Sequence, residues 1–234
     1  MDLVEKYFNV LLTTYVLLPL RYPLGMDFDE QLALAQVHLS ANDAKLAELI
    51  KKYGPCRIKP HDDHYGELLS SIVSQQLSVK TADTIWDRVL DVFKGKTPSP
   101  QQLTAADAEA IRACGVSYQK ISYMRDLANH IISGQLDLKH ASTLPNQEIL
   151  DQLVDVKGIG QWSAHMFLIF SLGRLDILPV GDLGIKKAAM TAYGLKNLPK
   201  PEELEKLSKK NGWKPYESVA AWYLWQSLDN KDNA

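Results

Sequence analysis

Cysteine is nearly absent, with only Cys56 and Cys114 in 234 residues. They lie far apart and share no CxxC spacing, which excludes a disulfide framework and a four-cysteine zinc or iron–sulfur centre. A reducing, intracellular setting is the expectation that follows. Cys56, His61, Asp62, Asp63 and His64 form a local group of potential ligands, but none follows at finger-like spacing, so no metal is expected there. Long hydrophobic runs are lacking as well. Residues 10–20 (VLLTTYVLLPL) fall short of the ~20 apolar residues that a membrane-crossing helix needs. The acidic Asp2 and Glu5 do not make a signal-peptide start, so residues 1–26 are read as an extension. Neither charge sign dominates: 26 Lys and Arg stand against 28 Asp and Glu, a net −2, with no overall basic signature. No segment alternates long enough to make a convincing strand, and no internal repeat is present.

What is present is helical periodicity. With 46% hydrophobic and 23% charged residues the composition is ordinary globular, enough for one large core or two modest ones. Leu68, Leu69, Ile72, Val73 and Leu77 recur at helical spacing. So do Val79, Ala82, Ile85, Trp86, Val89, Leu90 and Phe93, with Ser78 placed to cap their helix. Ile121 to Ile131 mark another helix, closed by Gly134. Residues 149–154 and 162–170 form two arms around a glycine turn, and 185–193, 202–210 and 216–228 complete the pattern. Residues 96–100 (KTPSP) read as a linker. The expectation is an all-α chain.

Charge and chemistry concentrate in the second half. Residues 183–215 carry eight lysines against three glutamates, a local +5 that suits either a basic binding face or a solvated helix surface. The turn VKGIG (156–160) places two glycines between helices. Gly158 and Gly160 let the backbone approach a partner, and the N–H groups at the start of the second helix suit a phosphate oxygen. A tight turn with nothing bound is the plain alternative. Asp182, 22 residues beyond Gly160, precedes Leu183-Gly184-Ile185 and reads equally as a helix N-cap and as a reactive carboxylate. The two roles are compatible, because helix N–H groups favour the ionised form. Trp213, Tyr216, Trp222, Tyr223 and Trp225 crowd thirteen residues, and Trp162 follows the glycines. Two or three are expected to be packing; the others offer π-faces for an electron-poor ring. Together these features suit gripping a nucleic-acid backbone, turning a nucleotide out of the stack, and stabilising a cationic sugar with a carboxylate.

At this point the residues resemble a known family. Residues 153–187 look like the helix-hairpin-helix DNA glycosylases. SIVSQQLS (71–78) and WKPY (213–216) with Trp225 are similar to the 3-methyladenine DNA glycosylase II branch. The likeness runs from about Asp27 to Leu228 and implies a two-lobed all-α fold. One lobe would be formed by 27–66 with 183–234. A central lobe, 67–182, would hold the hairpin (about 149–172) and the aspartate loop.

The resemblance also implies roles. Asp182 falls at the catalytic aspartate. Gly158, Gly160 and Gln161 fall at the phosphate-holding hairpin, and Gln76 or Leu77 at the wedge that fills the gap left by a flipped base. Trp162, Met166 and Trp225 fall at the base pocket. The main-chain carbonyls of Val154, Val156 and Ile159 fall where relatives hold a Na+ or K+ ion; no other cofactor is expected. Relatives that also cut the strand carry a lysine where this chain has Trp162, so a monofunctional enzyme leaving an abasic site is implied. Two positions depart from the pattern: Met166 stands where some relatives have tyrosine, and Glu217 where arginine is common. The expected activity is removal of alkylated purines such as 3-methyladenine and 7-methylguanine from duplex DNA by a monomer, without a membrane, in nucleoid or nucleus. A non-catalytic damaged-DNA-binding module, and a glycosylase for hypoxanthine or an oxidised purine, are the alternatives.

Overall fold

A computed structural model describes residues 26–229, and the apolar stretch 10–20 lies outside them. Twelve α-helices and no strand occur among the described residues: α1 (Phe28–Asn42), α2 (Ala44–Tyr53), α3 (His64–Ser74), α4 (Val79–Val92), α5 (Pro100–Ala105), α6 (Ala108–Ala113), α7 (Tyr118–Ser133), α8 (Asn146–Asp155), α9 (Gln161–Met166), α10 (Leu183–Tyr193), α11 (Pro201–Lys210) and α12 (Glu217–Asp229). The chain is all-α, as its periodicity predicts. It divides into two compact units, one contiguous (Ile58–Pro179) and one built from both chain ends, up to Arg57 and from Val180 onward. The sequence reading puts these divisions later, at 66/67 and 182/183. Residues 58–63 go with the contiguous unit because Ile58 is buried and the His61 N–H donates to the Ser171 carbonyl at 3.2 Å. Asp182 goes with the discontinuous one.

In the contiguous unit, Leu69, Ile72, Val89, Met124, Leu127, Ile149 and Leu153 are buried and supply the apolar faces of α3, α4, α7 and α8. Ser78 accepts the Thr81 N–H, and Gly134 closes α7 in the left-handed conformation. Val79 departs from the expected stripe: it is 79% exposed, because the first residue of α4 overhangs the end of the packed face. Residues 96–99 connect α4 to α5 within this unit, as a linker should. Ser99 and Gln102 form a capping box with Pro100 at the first helical position, so the stretch ends in the start of α5. The long connection before α8 is held by buried Arg174, whose guanidinium donates to the carbonyls of Ala141, Ser142 and Leu144 at 2.8–2.9 Å. After α9 the chain widens into a π-helical turn, Phe167–Ser171, which apolar periodicity alone does not announce.

In the discontinuous unit, α12 packs against α1, α2 and α10. Trp213 and Tyr223 are fully buried, and Tyr216 and Trp222 are buried, so most of the aromatic cluster is core. Its polar centre is buried Asp43. One carboxylate oxygen caps α2 by accepting the N–H groups of Lys45 and Leu46; the other accepts the Tyr193 hydroxyl at 2.5 Å and the Trp213 indole N–H at 2.7 Å. Burial, with Asp43 as acceptor, pushes the Tyr193 hydroxyl far above its ordinary range. Removing the acceptor strands a buried indole donor, a half-buried hydroxyl and a cap. Asp43→Ala is therefore expected to cost about 3–5 kcal/mol in urea unfolding. A loss below about 1 kcal/mol, the value of a cap alone, would mean the network does not hold these elements together.

Candidate nucleic-acid interface and carboxylate site

The contiguous unit builds the glycine hairpin. α8 ends at Asp155, the turn runs through 156–160, and α9 starts at Gln161. The two glycines are required for different reasons. Gly158 has φ +86°, and a Cβ there would lie 2.2 Å from the Tyr123 ring. Gly160 has an ordinary extended backbone, and a Cβ would meet nothing within 4 Å. Gly158 is thus demanded from inside, by packing, whereas Gly160 leaves its outer surface open. Asp or Ser side chains occupy the first N–H groups of α2, α4, α7 and α10, but no side chain does so at Gly160. The start of α9 therefore presents main-chain donors with exposed Gln161 and Trp162 beside them.

Two side chains fix the turn from behind. The Gln75 amide donates to the Gly158 carbonyl at 2.8 Å, and Asp126 accepts the Lys157 N–H at 2.9 Å. Burial alone would push the Asp126 carboxyl up. The Lys157 amide and ammonium, with His130, outweigh that and hold it below the ordinary range. The sequence reading assigned neither Gln75 nor Asp126 a role; their partners lie 83 and 31 residues away. The Val156 carbonyl accepts the Ile159 N–H at 3.1 Å. With Val154 it lies where α8 runs out of intrahelical donors.

Between α3 and α4 the chain makes the turn 75–78. Gln76 is exposed with φ +60°, a conformation that costs a non-glycine residue about 1 kcal/mol. Leu77 follows at 39% exposure and Val79 at 79%, so an apolar tip stands beside the glutamine. Trp162 opens the first turn of α9, and half-buried Met166 ends that helix.

The discontinuous unit builds the carboxylate. Asp182 is the N-cap of α10 and is only 8% exposed. Its Oδ1 accepts the Ile185 N–H at 2.7 Å and the indole Nε1–H of Trp225, from α12, at 3.0 Å. Asp182 caps a helix and stands buried against a tryptophan in one geometry. Trp225 thus has a polar task that aromatic clustering does not disclose. Gly184 makes this fit possible, since a Cβ there would lie 3.0 Å from Asp182 Oδ1 and 3.2 Å from the Trp225 ring. Glu217 sits in the first turn of α12, where a carboxylate suits the helix dipole better than an arginine would. A recess of about 400 Å³ is rimmed by Lys196, Lys206 and Lys210, which supply part of the local positive balance; no residue of the candidate site lines it. Among the described residues no group of His, Cys, Asp or Glu is arranged for a metal ion, and His64 Nδ1 instead pairs with Ser171 Oγ at 3.0 Å. No described helix is long and apolar enough to cross a membrane.

Comparisons with known proteins bear on this geometry. Residues 69–214 match the HhH-GPD superfamily base excision DNA repair protein family. The chain is 37% identical to DNA-3-methyladenine glycosylase 1 of Schizosaccharomyces pombe, covering 84% of this chain and 87% of that protein. It is 35% identical to the alkylbase DNA glycosidase-like protein mag2 of the same yeast, covering 86% and 96%. The crystal structure of a DNA-3-methyladenine glycosidase from Bacillus halodurans superposes with a TM-score of 0.76 at 38% identity, over 83% of this chain and 89% of that one. The S. pombe 3-methyladenine DNA glycosylase Mag1, solved with abasic DNA, gives a TM-score of 0.72 at 34% identity, over 86% and 99%. On fold, hairpin and sequence together, the chain belongs to the HhH-GPD superfamily of base excision DNA repair proteins, on its alkylated-base glycosylase branch.

Proposed function

We propose that the chain is a monofunctional DNA glycosylase that removes alkylated purines, 3-methyladenine and 7-methylguanine among them, from duplex DNA. The observation that carries this reading is Asp182. It is buried, holds two donors on a single oxygen, and stands at the position of the family's catalytic aspartate. In the reaction the N-glycosidic bond breaks and its electron pair leaves with the base. Water then forms the new bond to C1′ and gives up a proton. The carboxylate stabilises the cationic sugar in between. Alkylation makes the base a willing leaving group, so the protein chiefly supplies extrusion, a π-lined seat and that charge.

In this reading Gly158, Gly160 and Gln161 hold a phosphate downstream of the lesion, and Gln76 or Leu77 enters the gap. Trp162, Met166 and Trp225 contact the base. A monovalent ion on the carbonyls of Val154, Val156 and Ile159 would supply positive charge beside that phosphate. With Trp162 where a lysine nucleophile would be needed, the product is an abasic site in an uncut strand. The protein acts as a monomer inside the cell, where the DNA lies.

A panel of duplexes, each with one lesion, tests this. Alkylated purines should be released, and strands should break only after alkali. Binding without release from any duplex would instead identify a damage-binding module. Release confined to hypoxanthine or an oxidised purine would change the substrate class. Gly184 gives a sharper expectation. Alanine favours a helix over glycine by about 1 kcal/mol, yet Gly184→Ala would press on Asp182 and Trp225. Single-turnover release should slow roughly three- to tenfold while thermal stability is kept or raised. Unchanged release would show that the Asp182–Trp225 contact does not set the rate.

A further inference from the structure

Helix α7 carries no residue to which the sequence assigns a site role, yet it touches both the glycine hairpin and the turn 75–78 of its unit. Lys120, Tyr123 and Asp126 recur at three-residue spacing and so share one face. Asp126 holds the Lys157 N–H, and the Tyr123 ring lies against Gly158, so the outer two-thirds of this face support the hairpin. Lys120 reaches the other element. Its half-buried ammonium donates to the Val73 carbonyl at 2.6 Å and to the Gln75 carbonyl at 2.7 Å.

Those carbonyls lie where α3 ends at Ser74 and has no further N–H groups to offer them. One residue on, Gln76 takes its left-handed conformation. Gln75, held through its carbonyl by Lys120, uses its side-chain amide to hold the Gly158 carbonyl. A continuous set of polar contacts therefore runs from α7 through Lys120 to the turn, and from the turn to the hairpin. An ammonium suits the task because it offers three donors on one atom and carries the sign that a helix C-terminus favours. Burial lowers its proton affinity from the ordinary lysine range, a cost accepted for fixing a turn.

We infer that Lys120 is a positioning residue for base extrusion: it sets the turn bearing Gln76 and Leu77 in register with the phosphate-gripping hairpin. The inference rests on the reading of that turn as the wedge. A residue acting this way matters when a base must be drawn from a paired stack, and much less when the base is already unpaired. Global weakening would slow both cases alike.

The test is single-turnover release of one lesion from two substrates, a fully paired duplex and the same strand with the lesion in a bulge. Lys120→Met should lower the paired-to-bulged rate ratio by about tenfold or more, with bulged release within about threefold of wild type. Lys120→Arg, which restores charged donors, should recover most of the ratio. Gln75→Leu cuts the link to Gly158 alone and should lower the ratio too; it decides the matter if the methionine variant does not fold. An unchanged ratio in a folded variant overturns the inference. If the wild-type chain releases no base, a second readout in the Asp182→Asn background remains. Fluorescence of 2-aminopurine beside an abasic analogue should report unstacking by the wild-type turn and its loss in Lys120→Met. Equal fluorescence in both would overturn the inference independently of catalysis.

Discussion

Asp182→Asn is expected to slow single-turnover release of an alkylated purine by about 10²–10³-fold while leaving duplex affinity and stability nearly unchanged. The geometry makes this substitution clean. Asparagine caps a helix about as well as aspartate does. Its amide oxygen can still accept the Ile185 N–H and the Trp225 indole N–H that Asp182 Oδ1 accepts. The negative charge is lost, and the second acceptor oxygen becomes an NH2 donor. A carboxylate about 4 Å from a developing sugar cation, at an effective dielectric near 20, contributes roughly 4 kcal/mol, or about three decades in rate. The loss should be smallest for cationic lesions that leave readily and larger for a neutral base such as hypoxanthine. Full activity in the variant would remove Asp182 from the chemistry. A large fall in melting temperature would reassign it to capping alone.

The second large effect separates the two hairpin glycines. Gly158→Ala must fit a Cβ 2.2 Å from the Tyr123 ring at φ +86°, so it should destabilise the protein by about 2–4 kcal/mol and distort the turn. Adding Tyr123→Ala should return part of that loss, leaving the roughly 1 kcal/mol of backbone strain. Gly160→Val has neither problem. Its backbone is already extended and its Cβ would enter open space, so stability should change by less than about 1 kcal/mol. Affinity for damaged and undamaged duplex alike should nonetheless fall about tenfold or more, because the branched side chain would stand where a phosphate must approach. Wild-type affinity in Gly160→Val, measured by titration at fixed salt, would show that the hairpin is not the anchor.

How far the sequence carries depends on whether a signal is local. Ser78 and Gly134 mark helix ends in the sequence and in the structure, because caps act within a few residues. The hairpin glycines and Asp182 are legible for the same reason. The Ser99-Pro100 start of α5 carried its capping box openly, but its proline and serine read more easily as a linker. Val79 fitted a helical stripe because periodicity says which face a residue shares, not whether that face continues past the helix end. The Asp182–Trp225 bond joins residues 43 apart, and the Lys120 contacts join residues 45 and 47 apart. Pairings at such distances are set by packing and leave no mark at either position.

The division of the chain also orders its synthesis. Residues 58–179 form one uninterrupted unit and can close as they leave the ribosome, glycine hairpin included. The apolar faces of α1 and α2, with Leu32, Leu39 and Leu46, emerge first but must wait for α12 to cover them. Asp182 gains its tryptophan partner last, when Trp225 has emerged. A nascent chain thus completes its glycine hairpin well before the Asp182 carboxylate is fixed.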